Sequence, residues 1–187
     1  MWRTPSPGHD TQAWRGSEFK LAADLRAHAP GAIARLLDAF GHEILGVAYL
    51  IVRNHEDAEE VVMDTMMAAW RHSGELREDS ALRRWLLKIA SRHAITRRRS
   101  RRMTVALDAD RPEDSSWEPP VDRVVIAQAM EDLPVKIRAA IALHYLVDLS
   151  VPQVAKVLGK SENTIKSQLK EGRDRLRRSL VPEERLA

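Results

Sequence analysis

Apolar residues return every three or four positions along most of the chain. Ile33, Leu36, Leu37, Phe40, Ile44, Val47 and Ile51 fall on one helical face. Ala58, Val62, Thr65, Met66 and Ala69 predict a second buried stripe, and Leu82, Trp85, Leu86 and Ile89 a third. No alternating run of the kind a strand needs competes with these, so the expected fold class is all-α. Pro30-Gly31, Ser73-Gly74 and Gly159 punctuate the helices. Between Met103 and Pro120 the periodicity stops, and Pro112, Pro119 and Pro120 stand among acidic residues. The first sixteen residues carry few structural signals. The pattern therefore predicts a flexible N-terminal extension (1–16), a helical module (17–102), an acidic flexible linker (103–120) and a second helical module (121–187).

Within the second module, Ser150-Val151-Pro152-Gln153 has capping-box spacing, with proline in a first turn where no backbone donor is lost. A short helix bearing Val154, Ala155, Val157 and Leu158 follows, Gly159 permits a sharp turn, and Ser161 offers a second N-cap. Beyond it, Ile165, Leu169, Gly172 and Leu176 share one face. Asn163, Lys166, Ser167, Lys170, Asp174, Arg177 and Arg178 point away from it. A short helix, a glycine turn and a helix presenting polar and basic residues form the pattern of a helix-turn-helix, whose second helix enters the major groove. Residues from Ser161 to Lys170 are placed to reach base edges or nearby phosphates, and the later arginines to attract phosphate. The upstream helix bearing Ile137, Ala140, Ile141 and Tyr145, preceded by Glu131-Asp132-Leu133-Pro134, is expected to support the inner face. The competing reading is an amphipathic hairpin with a merely solvated charged face.

The first module separates its charges by sign. Asp57, Glu60 and Asp64 lie within one arc of a helix, either a surface for a basic protein or a solvated face. With His55 they do not form a metal-binding motif. Arg97, Arg98, Arg99, Arg101 and Arg102 crowd the end of the next predicted helix. They repel one another unless an anion is near, which makes a phosphate backbone a natural partner. Trp70 and Trp85 sit at core spacing.

Composition narrows the setting. With 44% hydrophobic and 30% charged residues, the chain is expected to be a soluble folded protein. No apolar run approaches the roughly 20 residues of a membrane span, and the start lacks the apolar core of a secretory signal, so a cytoplasmic location is expected. The absence of cysteine excludes disulfides and thiolate metal sites within the chain. No cofactor or metal is expected.

These residues together resemble the extracytoplasmic-function sigma factors, group 4 of the sigma-70 family, which carry regions 2 and 4. The segment His55-Glu56-Asp57-Ala58-Glu59-Glu60-Val61-Val62-Met63-Asp64-Thr65, followed by Ala69-Trp70, looks like the polymerase-docking helix of region 2. Leu82-Arg83-Arg84-Trp85-Leu86-Leu87-Lys88-Ile89-Ala90 looks like the promoter-melting segment. Leu149-Ser150, Val154-Ala155, Leu158-Gly159, Ser161 and Thr164-Ile165-Lys166-Ser167 look like the minus-35 reader of region 4. The resemblance spans roughly Leu21 to Arg102 and Met130 to Leu180. It implies a non-catalytic subunit that binds core RNA polymerase, at the beta-prime clamp and the beta subunit, and directs initiation at promoter DNA under an anti-sigma factor.

The resemblance also assigns residues. Asp57, Glu60, Met63, Asp64 and Met67 would contact polymerase. Glu75, Arg77, Asp79 and Ser80 would shape a pocket for a flipped minus-10 base, and Arg83, Arg84, Lys88, Arg92, Arg97 and Arg98 would hold the strand. Ser161, Glu162, Asn163, Thr164, Lys166, Ser167, Lys170 and Arg173 would read the minus-35 element. The chain departs from the family pattern in places. Met63 replaces a frequent glutamine, Arg92 and Thr96 replace a common asparagine and aspartate, and Glu78 stands where glycine is frequent.

A free-standing helix-turn-helix repressor or activator is the alternative, but it leaves the acidic stripe and the arginine helix without a use. An enzyme finds no glycine-rich phosphate loop and no nucleophile motif. The scattered His28, His42, His93 and His144 are expected at the surface or partly buried.

Overall fold

The computed structural model describes residues 11–105, 129–130 and 133–180, with side chains for 18–101, 129–130 and 133–179. Among these residues the elements are helical and no strand occurs, as the periodicity predicts. The helices are α1 (Thr11–Arg26), α2 (Ala32–Val52), α3 (His55–Arg71), α4 (Leu82–Val105), α5 (Val135–Ile141), α6 (Val151–Leu158) and α7 (Glu162–Leu180). The expected linker lies outside the described residues beyond Val105, as do Glu131 and Asp132.

Helix α1 starts at Thr11, inside the expected flexible extension, and its Ala22 and Leu25 are fully buried. Tertiary burial anchors a helix whose first turns, with Gly16 inside them, have weak intrinsic propensity. Helix α4 runs three residues past Arg102, where the sequence has neither glycine nor proline to stop it.

Helices α2, α3 and α4 pack on one another around Leu36, Phe40, Ile44, Val47, Ile51, Val61, Met66, Leu82, Leu86 and Leu87. Each such side chain contributes roughly 1.5–3 kcal/mol on burial. The link from α2 to α3 is two residues long. Arg53 closes α2 in the left-handed conformation (φ 63°), and Asn54 Oδ1 accepts the Asp57 backbone N–H at 2.8 Å to start α3. That register turns Ala58, Val62, Thr65, Met66 and Ala69 inward, as predicted, and leaves the carboxylates outside.

In the second half, Gln153 Oε1 accepts the Ser150 N–H at 2.8 Å, and Ser161 Oγ accepts the Thr164 N–H at 3.1 Å, so both predicted helix starts form. Gly159 takes φ 62°, the left-handed turn between α6 and α7. Gly172 is buried where α7 crosses α5, and a Cβ there would overlap Ile141 and Ile137.

One expectation fails here. Tyr145 is not core support but half exposed. The chain leaves α5 through a π-helical turn, Ala142–Leu146, whose wider winding carries Tyr145 off the α-helical stripe. His144 Nδ1 donates to the Leu149 carbonyl at 2.7 Å and holds that turn.

The two halves touch. Buried residues of both belong to one continuous cluster, with α6 against α4 and α5 against α2. Gly46 of α2 faces Leu146 so closely that a Cβ would lie 3.1 Å from its side chain.

Candidate nucleic-acid and protein interfaces

On α3, Asp57, Glu60 and Asp64 follow one another at helical spacing, and Met63 and Met67 stand beside them, each more than half exposed. Flexible, polarisable thioether side chains of this kind are over-used at protein-binding surfaces, because Met adapts to irregular partners. The structure thus brings all five residues assigned to polymerase onto one helix surface.

The same stripe already has a partner within the chain. The Arg97 guanidinium reaches Glu60, lies 3.3 Å from Asp57 Oδ1 and 3.8 Å from Asp64 Oδ2, and Arg101 binds Asp57 Oδ2 at 2.7 Å. Partial burial pulls the Arg97 proton affinity down, but the hydrogen bonds and charges of Glu60 and Asp57 outweigh it and raise it above the ordinary value. The anion expected beside the arginine block is therefore first supplied by α3. The opposite end of α4 is similar. Arg83 Nε donates to both Glu43 oxygens at 2.9 and 3.0 Å, and its Nη2 donates to the Val147 carbonyl at 2.8 Å, across the contact between the halves. Between these ends Lys88 and Arg92 are exposed and Arg84 is half-buried. Arg98 is half-buried.

The segment expected to capture a base lies between two 3-10 turns, Ser73–Glu75 and Asp79–Ala81. Leu76 anchors it in the core, while Arg77, Glu78 and Ser80 are exposed. Asp79 is held by Arg26 at 2.6 Å and Glu75 by His72 at 3.0 Å. Glu78 adopts an extended conformation (φ −127°), which needs no glycine.

Sequence reasoning missed Glu18 and Glu43. Glu18 of α1 is buried against the first turn of α4, where it accepts the Arg83 backbone N–H and faces Arg84 and Glu43. Desolvation raises its carboxyl above the usual range, against the opposing pull of that hydrogen bond and the arginines. Neither residue belongs to a motif, and only the packing of α1 and α2 on α4 makes them neighbours of Arg83.

The α7 face differs from α4. Ser161, Glu162, Asn163, Lys166, Ser167, Lys170 and Arg173 are all exposed and Thr164 is half-buried. Lys166, Lys170 and Arg173 have no ion-pair partner among the described residues. With the second helix of a helix-turn-helix so presented, the face can enter a groove without first breaking internal pairs.

Both halves of the chain match known proteins. Residues 36–104 match the family model described as Sigma-70 region 2, and residues 123–176 match that described as Sigma-70, region 4. The chain is 30% identical over 161 residues to the extracytoplasmic-function RNA polymerase sigma factor SigM of Mycobacterium tuberculosis, covering 83% of this chain and 82% of SigM. It is 34% identical over 153 residues to SigL of the same species, covering 76% and 86%. The solved sigma factor RpoE of Bartonella quintana, crystallised with the anti-sigma factor NepR, superposes with a TM-score of 0.70 at 26% identity, covering 80% of this chain and 97% of RpoE. With both regions matched in order, the chain belongs to the extracytoplasmic-function sigma factors of RNA polymerase.

Proposed function

We propose that this chain, a sigma factor of the group 4 kind, docks on core RNA polymerase through Asp57, Glu60, Met63, Asp64 and Met67. Residues 17–102 act as the docking and strand-opening unit, and residues 121–187 as the duplex reader. Glu75, Arg77, Asp79 and Ser80 shape the place for a flipped minus-10 base, while Arg83, Arg84, Lys88, Arg92, Arg97 and Arg98 hold the unstacked strand. Capture of that base offsets the cost of unstacking, so the DNA opens without hydrolysis and the subunit works without catalysis. Ser161, Glu162, Asn163, Thr164, Lys166, Ser167, Lys170 and Arg173 read the minus-35 element. The protein acts in the cytoplasm, where polymerase and promoter are. An anti-sigma factor controls it, a reading supported by the complex in which the structural relative RpoE was solved.

The observation that carries this reading is the pairing, in one chain, of exposed Met63 and Met67 beside the α3 carboxylates with an open helix-turn-helix face on α7. Run-off transcription with core polymerase on promoter fragments tests it. Wild type is expected to start at defined sites. Glu60→Arg/Asp64→Arg should lose core binding, and Lys166→Ala/Lys170→Ala should lose start-site choice while keeping core. A protein that binds duplex DNA but neither binds core nor starts transcription would instead be a repressor.

The reading carries a mechanical demand. The two promoter elements lie about 25 base pairs apart, or about 85 Å of duplex at about 3.4 Å per step. A chain of this length packed as one body has a radius of gyration of about 16 Å. The halves must therefore part on the promoter, which breaks the bond from Arg83 to the Val147 carbonyl and leaves Arg83 available to the strand.

A further inference from the structure

Met63 and Met67 stand one helical turn apart on the outer face of α3, 58% and 52% exposed, while Met66 beside them is 1% exposed and Met130 0%. The chain has no cysteine, so the thioethers carry all of its sulfur. We propose that Met63 and Met67 are oxidation sites, at which a peroxide converts the thioethers to sulfoxides and reversibly weakens docking on a basic protein surface. The inference deepens the docking reading and rests on it for the identity of that partner, core polymerase, but the oxidation itself involves this chain alone.

The step transfers two electrons. The Met sulfur attacks one peroxide oxygen, the O–O bond breaks and an S–O bond forms. The proton on the transferred oxygen then passes to the departing hydroxide, which leaves as water, so that sulfur is oxidised and the peroxide reduced. Such attack needs a thioether that solvent can reach, which sets Met63 and Met67 apart from Met66 on the same helix. The product is a polar, chiral sulfoxide, whose oxygen accepts hydrogen bonds and donates none. Its neighbours on the stripe, Asp57, Glu60 and Asp64, are acceptors as well, so none of them satisfies it. A basic partner that sets its charged heads on these carboxylates lays its hydrocarbon stems over the thioethers beside them. There the sulfoxide oxygen enters an apolar contact without a donor, which weakens association about tenfold or more. The carboxylates are untouched, and methionine sulfoxide reductase restores the original surface.

Treatment of the full chain with hydrogen peroxide, removal of the peroxide with catalase, and measurement of peptide masses and of affinity for core RNA polymerase test the proposal. Met63 and Met67 are expected to oxidise about tenfold faster than Met66 and Met130. The oxidised protein should keep its helix content and bind core about ten- to hundredfold more weakly. Methionine sulfoxide reductase with dithiothreitol should return the lost affinity. Met63→Leu/Met67→Leu, whatever its own affinity for core, should bind equally before and after peroxide, which separates these two residues from Met1 and Met103. Equal oxidation of Met63, Met66, Met67 and Met130, unchanged or tighter core binding once Met63 and Met67 are sulfoxides, or an equal loss in the leucine variant would each overturn the proposal. Failure of the docking reading looks different, because Glu60→Arg/Asp64→Arg that has never met peroxide would then keep its hold on core.

Discussion

Helices α4 and α7 are both long, both basic and both proposed to meet DNA, yet the chain treats their charges in opposite ways. On α4, Arg83, Arg97 and Arg101 are committed to Glu43, Asp57, Glu60 and Asp64. On α7, Lys166, Lys170 and Arg173 face solvent with no carboxylate partner among the described residues. The difference follows from position. Helix α4 is the third member of a bundle whose other helices carry acids toward it, while α7 lies at the edge of its half, packed on α5 and α6 by a single apolar stripe. Under the proposed roles, a duplex reader presented to solvent meets DNA without giving up a pair with a described residue, whereas the cations of the strand holder must first exchange a carboxylate for a phosphate.

The contrast depends on α7 being held rigidly by that stripe, and Gly172 is its tightest point. Gly172→Leu must push into Ile137 and Ile141, at an overpacking cost of about 1–3 kcal/mol or more. The expected outcome is a lowered denaturation midpoint for the second half and loss of duplex binding, with the α2–α4 bundle retained. Circular dichroism and duplex-binding titrations would read it. An unchanged midpoint would mean that α7 is not seated on α5 as described.

The charge difference itself is tested by salt. Lys166→Ala/Lys170→Ala should weaken duplex binding about tenfold and lower the slope of log affinity against log salt by about two, close to 0.9 per lost phosphate contact. Arg97→Ala/Arg101→Ala should change that duplex slope by less than one, because these cations are already neutralised. Equal slopes for the two variants would erase the distinction between the helices.

Much of this arrangement is legible in the residues. The two caps of the helix-turn-helix, the buried stripe of α7 and the arc of Asp57, Glu60 and Asp64 all follow from local spacing, because each depends on neighbours three or four positions away in one helix. The partners of the arginines do not. Glu43 and Arg83 are forty positions apart, as are Asp57 and Arg97, and nothing in either local pattern selects the pair. Tyr145 leaves the expected stripe for a related reason, since one π-helical turn shifts the register that a 3.6-residue count assumes. Helix α1 is nearly silent in sequence because its stability comes from Ala22 and Leu25 packing on helices yet to be placed.

A smaller effect concerns the contact between the halves. Gly46→Leu adds a side chain where a Cβ alone would sit 3.1 Å from Leu146, while improving helix propensity within α2. Energy transfer between dyes on the two halves should fall as the wedge parts them, with little change in overall helix content. Strand binding should rise modestly as Arg83 leaves Val147. Unchanged transfer would show that Leu146 moves aside without opening the contact.

The smallest expected effect lies where the two helices begin. Helix α7 starts with its own cap, Ser161, whereas α4 borrows the carboxylate of Glu18 from α1 for the Arg83 N–H. Burial raises the Glu18 carboxyl above its ordinary value, so the folded chain holds a proton at pH values where the unfolded chain has released it. The stability this proton confers is fully present below the unfolded glutamate value and is lost as pH rises through the raised folded one. Glu18→Gln cannot titrate but can still accept the Arg83 N–H. Relative to wild type it should therefore gain stability across that acidic window and hold the gain at neutral pH, as read from denaturant midpoints. A constant difference between the two proteins over the window would mean that Glu18 titrates as it does in water, and that α4 starts as independently as α7.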